Sequence, residues 1–413
     1  WVRPSAVLHT VQWPLLLALA AVAGHLVQRR LLLPKVVGYS AVGAVAGLAG
    51  FSGAAWPLQG AGLFLLELGV SLVLFEAGGR IALRWFRHNP MVLLQSLIES
   101  ALTFGCVYLA MRWLGMPAQV AQALAAIAMV GSPAVLSRIV LDTRATGPTT
   151  ERALTLTTLG TLYALTLVSA RANLMHRERE SLIDTLLPVV AVLGLSMAVG
   201  ALVALAMRQA LRSMNPTSES ASILLISLIA AGTAIAAVVG GSAPLAALLG
   251  GMLLKQLNPR PWAWPRQLGT GASALVMLTF VLVSVVAAQA EWNHAVAGLV
   301  LALLLARALA KVLGVALANP GSGLRWRQGF WAACEMAPMS SVALLLALQF
   351  MVASPSFGPQ IASVALPAIL LMEVAGAIIA TVAVRRSGES SRAAPDWPVP
   401  APSSTLPAQE PRG

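Results

Sequence analysis

The amino-acid sequence predicts an all-α polytopic membrane protein with about 13 transmembrane helices. Of its 413 residues, 58% are hydrophobic and only 10% are charged, whereas a water-soluble domain carries roughly a quarter charged residues. Continuous apolar runs such as 295–319 are also longer than the roughly 10 alternating residues of a membrane barrel strand. These two observations exclude a water-soluble domain and a membrane β-barrel.

Each predicted span is an apolar segment that is bounded by charged, proline or glycine residues. The spans are 7–27, 34–52, 60–80, 91–115, 118–143, 151–174, 185–208, 221–241, 242–258, 271–291, 294–319, 327–351 and 363–385. Together they form a transmembrane domain, 1–386, with two blocks of six spans, about 7–174 and 221–385, joined by the linker helix 185–208. Residues 387–413 are rich in Pro, Ser and charge, which predicts a disordered cytoplasmic tail.

The basic residues lie mainly on one side of the predicted bundle. About 20 of the 27 Lys and Arg residues fall in alternate loops, as the positive-inside rule requires of cytoplasmic loops. The odd number of spans then places the N-terminus outside and the C-terminus in the cytoplasm of a bacterial-type inner membrane. No cluster of about five to eight basic residues occurs, so the net charge of +12 reflects topology in a lipid bilayer, not a nucleic-acid partner.

Motifs of enzymes, cofactor sites and metal sites are missing from the sequence. It contains no HExxH, GxSxG, CxxC or P-loop motif. Cys106, Cys334 and the 5 histidines do not have the spacing of metal ligands. We therefore expect neither an enzyme nor a resident cofactor or metal.

Two predicted spans are interrupted at corresponding places in the two blocks. Residues 131–133, with the sequence GSP, break the fifth span, and Pro338 breaks the twelfth. Proline removes a backbone donor and frees a carbonyl that lipid cannot satisfy, so polar groups must meet both breaks. Six spans plus one connector place the blocks in opposite orientations. This predicts inverted repeats whose broken helices cross at the midplane around a transport site; the alternative is two ordinary proline kinks.

Charged residues also lie inside the predicted spans. Arg307 and Lys311 are four residues apart in the eleventh span and so share one helix face. Facing lipid would cost each about 2.5–3.5 kcal/mol, which predicts that both point into the protein. Burial disfavours the charged form of lysine, so Lys311 is also a candidate proton carrier. The acidic residues in the membrane interior, away from the span ends, are Glu67, Glu76, Glu99, Glu335 and Glu373.

Among these acidic residues, Glu335 is the most informative because it stands three residues before the proline of the second break. A carboxylate at that place either carries a proton or belongs to an ion pair that fixes helix packing. Glu76 lies one turn from Arg80 and is either a second proton-carrier candidate or part of an interfacial ion pair. Glu99 and Glu373 are expected to be structural partners only.

Several segments resemble motifs of the monovalent cation:proton antiporter family, which has the sodium/proton exchanger fold. In 29–50, a Pro and a Gly-Tyr precede small residues, as in the second span of that family. The segments similar to its third span, its first broken helix and its later signatures are 65–87, 131–156, 240–259 and 305–315. The resemblance covers about residues 12–385.

The resemblance implies a dimerisation domain, a mobile core that holds both broken helices, a homodimer, and exchange of a monovalent cation for protons. It also implies a cation site in the sixth span, where the family carries adjacent acidic residues. Here Gly160 and Thr161 occupy those positions, and neither can titrate. The usual acidic partner of the lysine matched by Lys311 is missing, which leaves Lys311 without its acid, and Ser340-Ser341 replaces the usual glycine-acid pair after the second break. The sequence therefore resembles a divergent member without the acidic pair.

Three interpretations follow. In the first, which we favour, the chain is a Na+ or K+/proton antiporter with a degenerate site, in which Glu335 or Glu76 replaces the missing acid while Lys311 and Arg307 balance charge. In the second, the unpaired Lys311 selects an anion or another solute, aided by helix N-termini. In the third, the fold serves as a regulatory membrane subunit without transport. The expected ion-site residues are Ser132, Thr157, Gly160, Thr161, Ser340 and Ser341.

Overall fold

A computed structural model of the chain describes residues 4–51, 60–174, 182–214, 218–258, 266–290 and 292–390. These residues form sixteen α-helices and one π-helical turn, Val27–Leu31. The α-helices, in chain order, are α1 (Pro4–Leu26), α2 (Lys35–Leu48), α3 (Gly60–Gly79), α4 (Leu83–His88), α5 (Pro90–Trp113), α6 (Ala118–Met129), α7 (Pro133–Thr143), α8 (Pro148–Leu174), α9 (Leu182–Ser213), α10 (Glu219–Val238), α11 (Ala243–Leu257), α12 (Arg266–Ala288), α13 (His294–Leu317), α14 (Trp326–Glu335), α15 (Ser341–Ala353) and α16 (Gly358–Ser387).

The helices confirm the prediction of an α-helical polytopic membrane protein. Within the described ranges, 7 helical segments are long and apolar enough to cross a membrane, and further apolar helices of 10–17 residues lie between them. The exact count of thirteen spans stays a prediction. The additional short helix α4 follows α3 and carries basic residues, including Arg87, in its last turn.

Both predicted helix breaks are present. Helix α6 ends at Met129 and α7 begins at Pro133, so the first break is a three-residue extended segment. Ser132 caps α7, because its Oγ accepts a hydrogen bond from the backbone N–H of Val135 at 3.3 Å. The second break separates the end of α14 from the start of α15 at Ser341. Each break therefore leaves the carbonyl end of one half-helix inside the bundle.

Helix α13 shows how the bundle separates its lipid-facing and inner surfaces. The leucines of one α13 face are between 51% and 63% exposed, whereas Arg307 and Lys311, on the opposite face, are 2% exposed. Those leucines are Leu301, Leu305, Leu309 and Leu313. The two basic side chains therefore point into the protein, as the sequence predicts.

The helices pack in two groups. In one, which we name the outer group, α1, α2, α3 and α9 to α12 contact mainly one another; in the other, the inner group, α5 to α8 pack with α13 to α16. The two groups meet where α8 contacts α9 and where α16 contacts α2 and α12. The inner group thus contains both broken helices.

The segment after α16 contacts the start of α8. The Glu389 carboxylate accepts hydrogen bonds from the backbone N–H groups of Thr149 and Thr150, both at 2.8 Å. Partial burial raises the pKa of Glu389, but these hydrogen bonds outweigh it and hold the pKa below its usual value. Ordered contacts therefore continue to Ser390, which bridges to Ala145, although the predicted tail begins at 387; residues 391–413 lie outside the described part of the chain.

Glycines permit the closest approach within the outer group. A Cβ on Gly251 of α11 would overlap the carbonyl oxygen of Phe75 on α3, and one on Gly78 of α3 would overlap the carbonyl oxygen of Leu248 on α11. Small residues that let helix backbones touch are the usual basis of packing between membrane helices. The α3–α11 contact therefore depends on these two positions.

Replacing Gly251 by Ala should lower the free energy of unfolding by about 1–3 kcal/mol, because the added methyl group forces the two backbones apart. Thermal unfolding of the purified protein in detergent measures the change. Gly105→Ala is the matched control, since nothing lies within 4 Å of a Cβ at Gly105. An equal melting temperature for the two variants would contradict this view of the packing.

Candidate functional site

The Arg307 guanidinium lies where the two broken helices cross. Its Nε donates to the carbonyl of Ala128 at 2.9 Å, and its Nη2 donates to Val130 at 3.0 Å, both at the end of α6. On the second break, Nη1 donates to Ala337 at 2.6 Å. Further hydrogen bonds from Nη2 reach the carbonyls of Met336 at 3.3 Å and Pro338 at 3.4 Å.

These hydrogen bonds pair backbone carbonyls at the two breaks, for which neither the helices nor the lipid provide a donor. The C-terminal end of a helix leaves its last carbonyls unpaired and carries partial negative charge, so a buried cation is stabilising there. A guanidinium has five N–H donors in a planar fork, which lets it bind both breaks at once. Arg307 thus joins α6 and α14 at one point inside the inner group.

One turn further along α13, Lys311 forms a buried ion pair with Glu99 of α5. Lys311 Nζ donates to Glu99 Oε1 at 2.6 Å, and the Glu99 and Lys311 side chains are 0% and 2% exposed. Thr103 Oγ1 also donates to Oε1, at 3.0 Å, and Ser100 Oγ donates to Oε2 at 3.4 Å. The carboxylate therefore has a cation and two hydroxyl groups around it.

The Glu99 carboxylate lies beside Gly160 of α8. A Cβ built on Gly160 would lie 3.8 Å from Glu99 Oε2 and 3.4 Å from Ser100 Oγ. The expectation that Lys311 lacks an acidic partner is therefore wrong, because Glu99 supplies the carboxylate from α5. Its oxygen lies next to the α8 position where the family resemblance implies an acidic side chain.

The other α8 positions contact the first break. Thr161 Oγ1 donates to the carbonyl of Thr157 at 2.8 Å and lies 3.5 Å from that of Gly131. The Thr157 side chain packs against Gly131, where there is no room for a Cβ. Thr157 Oγ1 is buried and has no hydrogen-bond partner in the described part of the chain. Together with Gly160, these threonines occupy one face of α8, since positions three and four apart are neighbours on a helix.

The predicted serines have different surroundings. Ser132 is buried and its hydroxyl caps α7. Ser340 donates to Glu373 of α16 at 3.2 Å, and Ser341 is buried at the first residue of α15. The structure thus brings Ser340 to a carboxylate that differs from the one beside Gly160.

The two acids that the sequence analysis favours as proton carriers differ in burial. Glu335, the last residue of α14, is 0% exposed, and among the described residues neither of its carboxylate oxygens has a hydrogen-bond partner. Glu76 instead forms an ion pair with Arg80 at 2.7 Å, and both side chains are about one third exposed. Glu335 therefore has the environment of a protonated carboxylic acid, whereas Glu76 forms the interfacial pair.

Glu99, expected from the sequence to be only a structural partner, is the acid that pairs with Lys311, and the sequence carries signals for this role. Thr103 follows Glu99 by four residues, a spacing that places its hydroxyl near the carboxylate on a helix. Gly314, three residues after Lys311, leaves no room for a Cβ because that atom would lie 2.5 Å from Glu99 Cα. This close approach of α13 to α5 brings the lysine within reach of the carboxylate.

A cavity of about 400 Å³ opens between α3, α7 and α8. Arg80 and Glu151 line it on the side of the predicted cytoplasmic loops, and Thr158 lines it on α8. Thr158 follows Thr157 and precedes Thr161 by one turn. The cavity therefore approaches the candidate site along the boundary between the two helix groups.

The sequence profile of the transmembrane domain of sodium/hydrogen exchangers matches residues 15–385. The chain belongs to the sodium/hydrogen exchanger family. Among solved structures, the fold of this family member is similar to that of the sodium proton antiporter MjNhaP1 from Methanocaldococcus jannaschii at pH 8, with a TM-score of 0.71 and 17% identity over 93% of this chain and 100% of that one.

An electron-microscopy structure of MjNhaP1 gives a TM-score of 0.68 and 18% identity, over 91% of this chain and 98% of that one. No curated protein matches this exchanger-family chain in sequence. At these identities the structural likeness shows a shared fold. The site of this chain must therefore be argued from its own residues.

Replacing Arg307 by Lys should lower the free energy of unfolding by at least about 2 kcal/mol, because an ammonium cannot satisfy the carbonyls of both breaks. Thermal unfolding of the purified protein measures the loss. Arg327→Lys is the control, since Arg327 lies exposed on α14 and the change keeps the same charge. If both variants unfold at the temperature of the unchanged protein, Arg307 does not join the breaks.

Proposed function

We propose that the protein is a secondary transporter that exchanges a monovalent cation, Na+ or K+, for protons, and that Glu99 provides the acid of its ion site. The observation that carries this proposal is the Glu99–Lys311 pair beside Gly160. Membership of the sodium/hydrogen exchanger family supports the type of reaction. The carboxylate has moved from α8 to α5, while its place in the bundle is retained.

The surroundings of Glu99 suit a monovalent cation. Hard cations prefer oxygen ligands, and the carboxylate has the hydroxyl of Ser100 beside it. Thr157 and Thr161 present hydroxyls on the same face of α8 as Gly160, and the Thr157 oxygen is available as a ligand. One negative charge with neutral oxygens balances one monovalent cation.

Exchange follows from charge balance at this pair. A cation cannot reach Glu99 Oε1 while the Lys311 ammonium lies 2.6 Å from it. Two positive charges next to one carboxylate are costly in the membrane interior, so cation entry is coupled to loss of the Lys311 proton or to movement of Lys311 away. Protonation of Glu99 from the opposite side releases the cation. That proton passes to the neutral Lys311 amine, which restores the neutral Glu99–Lys311 pair.

The Glu99–Lys311 pair argues against the anion interpretation. Selection of an anion needs an unpaired positive charge at the site, and Glu99 neutralises Lys311. Arg307 is occupied by five backbone carbonyls. The net charge of the pair is zero, which suits competition between a cation and a proton.

The two helix groups provide the means for alternating access. Both breaks and the Glu99–Lys311 pair lie in the inner group, so this group would carry the ion past the outer group. We propose that the outer group forms a homodimer in a bacterial-type inner membrane, with the N-terminus outside and the C-terminus in the cytoplasm, as the distribution of basic residues requires. Glu335, which is buried and has no hydrogen-bond partner among the described residues, would serve as an additional proton carrier, and Ser132 and Ser341 would line the path at the breaks.

Replacing Glu99 by Gln should abolish cation-evoked proton movement in proteoliposomes that contain a pH-sensitive dye. The amide keeps the size of the side chain and one accepting oxygen but can neither carry a proton nor balance Lys311. Glu76→Gln is the matched control and should retain flux, because Glu76 pairs with Arg80 away from the breaks. Cation-evoked flux in Glu99→Gln equal to that of the unchanged protein would contradict the role of Glu99. Silence of the unchanged, folded protein towards Na+, K+ and Li+ would contradict exchange itself.

A further inference from the structure

A second buried carboxylate lies on the boundary between the two helix groups. Glu373 of α16 is 0% exposed. Ser284 of α12 donates to its Oε2 at 2.8 Å, and Ser340 of the second break donates to its Oε1 at 3.2 Å. The Ser40 hydroxyl of α2 approaches the same carboxylate. These three hydroxyls come from two outer-group helices and from the broken helix of the inner group.

Ser40 is the serine of this cluster whose hydroxyl oxygen is least engaged in hydrogen bonds. Its side chain is 0% exposed, and its Oγ makes no hydrogen bond of normal geometry within the described residues. A buried hydroxyl that has lost its hydration and makes no hydrogen bond of normal geometry gains little in return. An oxygen in this state, facing a carboxylate, is suited to bind an ion that the carboxylate attracts.

Glu373 has no cationic side chain as its partner. In the described ranges the ion pairs are those of Arg80 with Glu76 and of Lys311 with Glu99. Arg307 contacts the same break as Ser340, but its nitrogens bind backbone carbonyls. An unpaired carboxylate this deep in a membrane protein must hold a proton or a bound cation.

We propose that Glu373, Ser40, Ser284 and Ser340 form a second site, separate from the Glu99–Lys311 pair, that binds a small monovalent cation such as Na+ in exchange for a proton. Cation binding breaks the O–H bond of the protonated carboxyl group and releases one proton, so the charge of the site does not change. Two carboxylate oxygens and three hydroxyl oxygens supply the hard ligands that such a cation prefers. One negative charge favours a monovalent ion over a divalent ion.

The location of this second site couples it to movement of the inner group. Ser340 and Glu373 belong to the inner group, whereas Ser40 and Ser284 belong to the outer group, so the proposed alternating access would separate them. A Cβ on Gly376, one turn after Glu373, would lie 2.8 Å from Cα of Pro338, so α16 and the second break are in direct backbone contact. A cation bound by this cluster would therefore stabilise the packing of the two helix groups in the arrangement seen here.

Binding of radioactive sodium to the purified full-length chain in detergent, at alkaline pH, tests the proposal. The unchanged protein should show two saturable components, and Glu373→Gln should lose one of them. Glu99→Gln should retain the component that Glu373→Gln loses. Sodium binding by Glu373→Gln equal to that of the unchanged protein would overturn the proposal, and so would the absence of any sodium binding by the unchanged protein.

A milder variant keeps the test decisive if Glu373→Gln does not fold. Ser40→Ala removes one ligand and leaves the carboxylate, so it should weaken this sodium component about tenfold, the effect of one lost interaction. Ser71→Ala is the matched control and should leave binding unchanged, because Ser71 Oγ on α3 is also buried and has no hydrogen-bond partner in the described part of the chain. Equal sodium binding by Ser40→Ala and Ser71→Ala would overturn the proposal. Proton flux in proteoliposomes is measured separately, so failure of exchange through Glu99 is distinguishable from failure of this site.

Discussion

The rest of the structure depends on the satisfaction of backbone carbonyls at two helix breaks inside a membrane protein. Lipid offers these carbonyls no hydrogen-bond donors, so the broken helices require a polar group at their crossing. Arg307 provides it through hydrogen bonds to carbonyls of both breaks. Lys311 lies one turn from Arg307 on the same face of α13. Because its charge is also buried, it needs a carboxylate as a partner. The position of the proposed ion site follows from these two requirements.

The carboxylate that meets Lys311 comes from a different helix from the one that the family resemblance implies. Gly160 leaves space on α8, and the side chain of Glu99 reaches that space from α5. A transporter needs a titratable oxygen at a given point in the bundle, and more than one backbone position can place it there. The absence of an acidic pair on α8 is therefore compatible with a charged and hydroxyl-rich site.

Much of this arrangement is predictable from sequence, and the exceptions have a physical reason. The breaks at 131–133 and Pro338 follow from proline chemistry, and the inward direction of Arg307 and Lys311 follows from the cost of charge in lipid. The partnership of Lys311 with Glu99 joins residues that are 212 positions apart and depends on the close approach at Gly314. Local patterns carry little information on which distant helices touch, so this contact was missed and Glu335 was favoured.

The most direct test of the account moves the acid back to α8. The double variant Glu99→Ala, Gly160→Asp would place a carboxylate beside Lys311 from the opposite helix, in the space that Glu99 leaves. Proton flux evoked by cations in proteoliposomes should be lost in Glu99→Ala alone and restored in the double variant. If the double variant folds but shows no cation-evoked proton flux, the claim that Glu99 replaces the missing acid is contradicted.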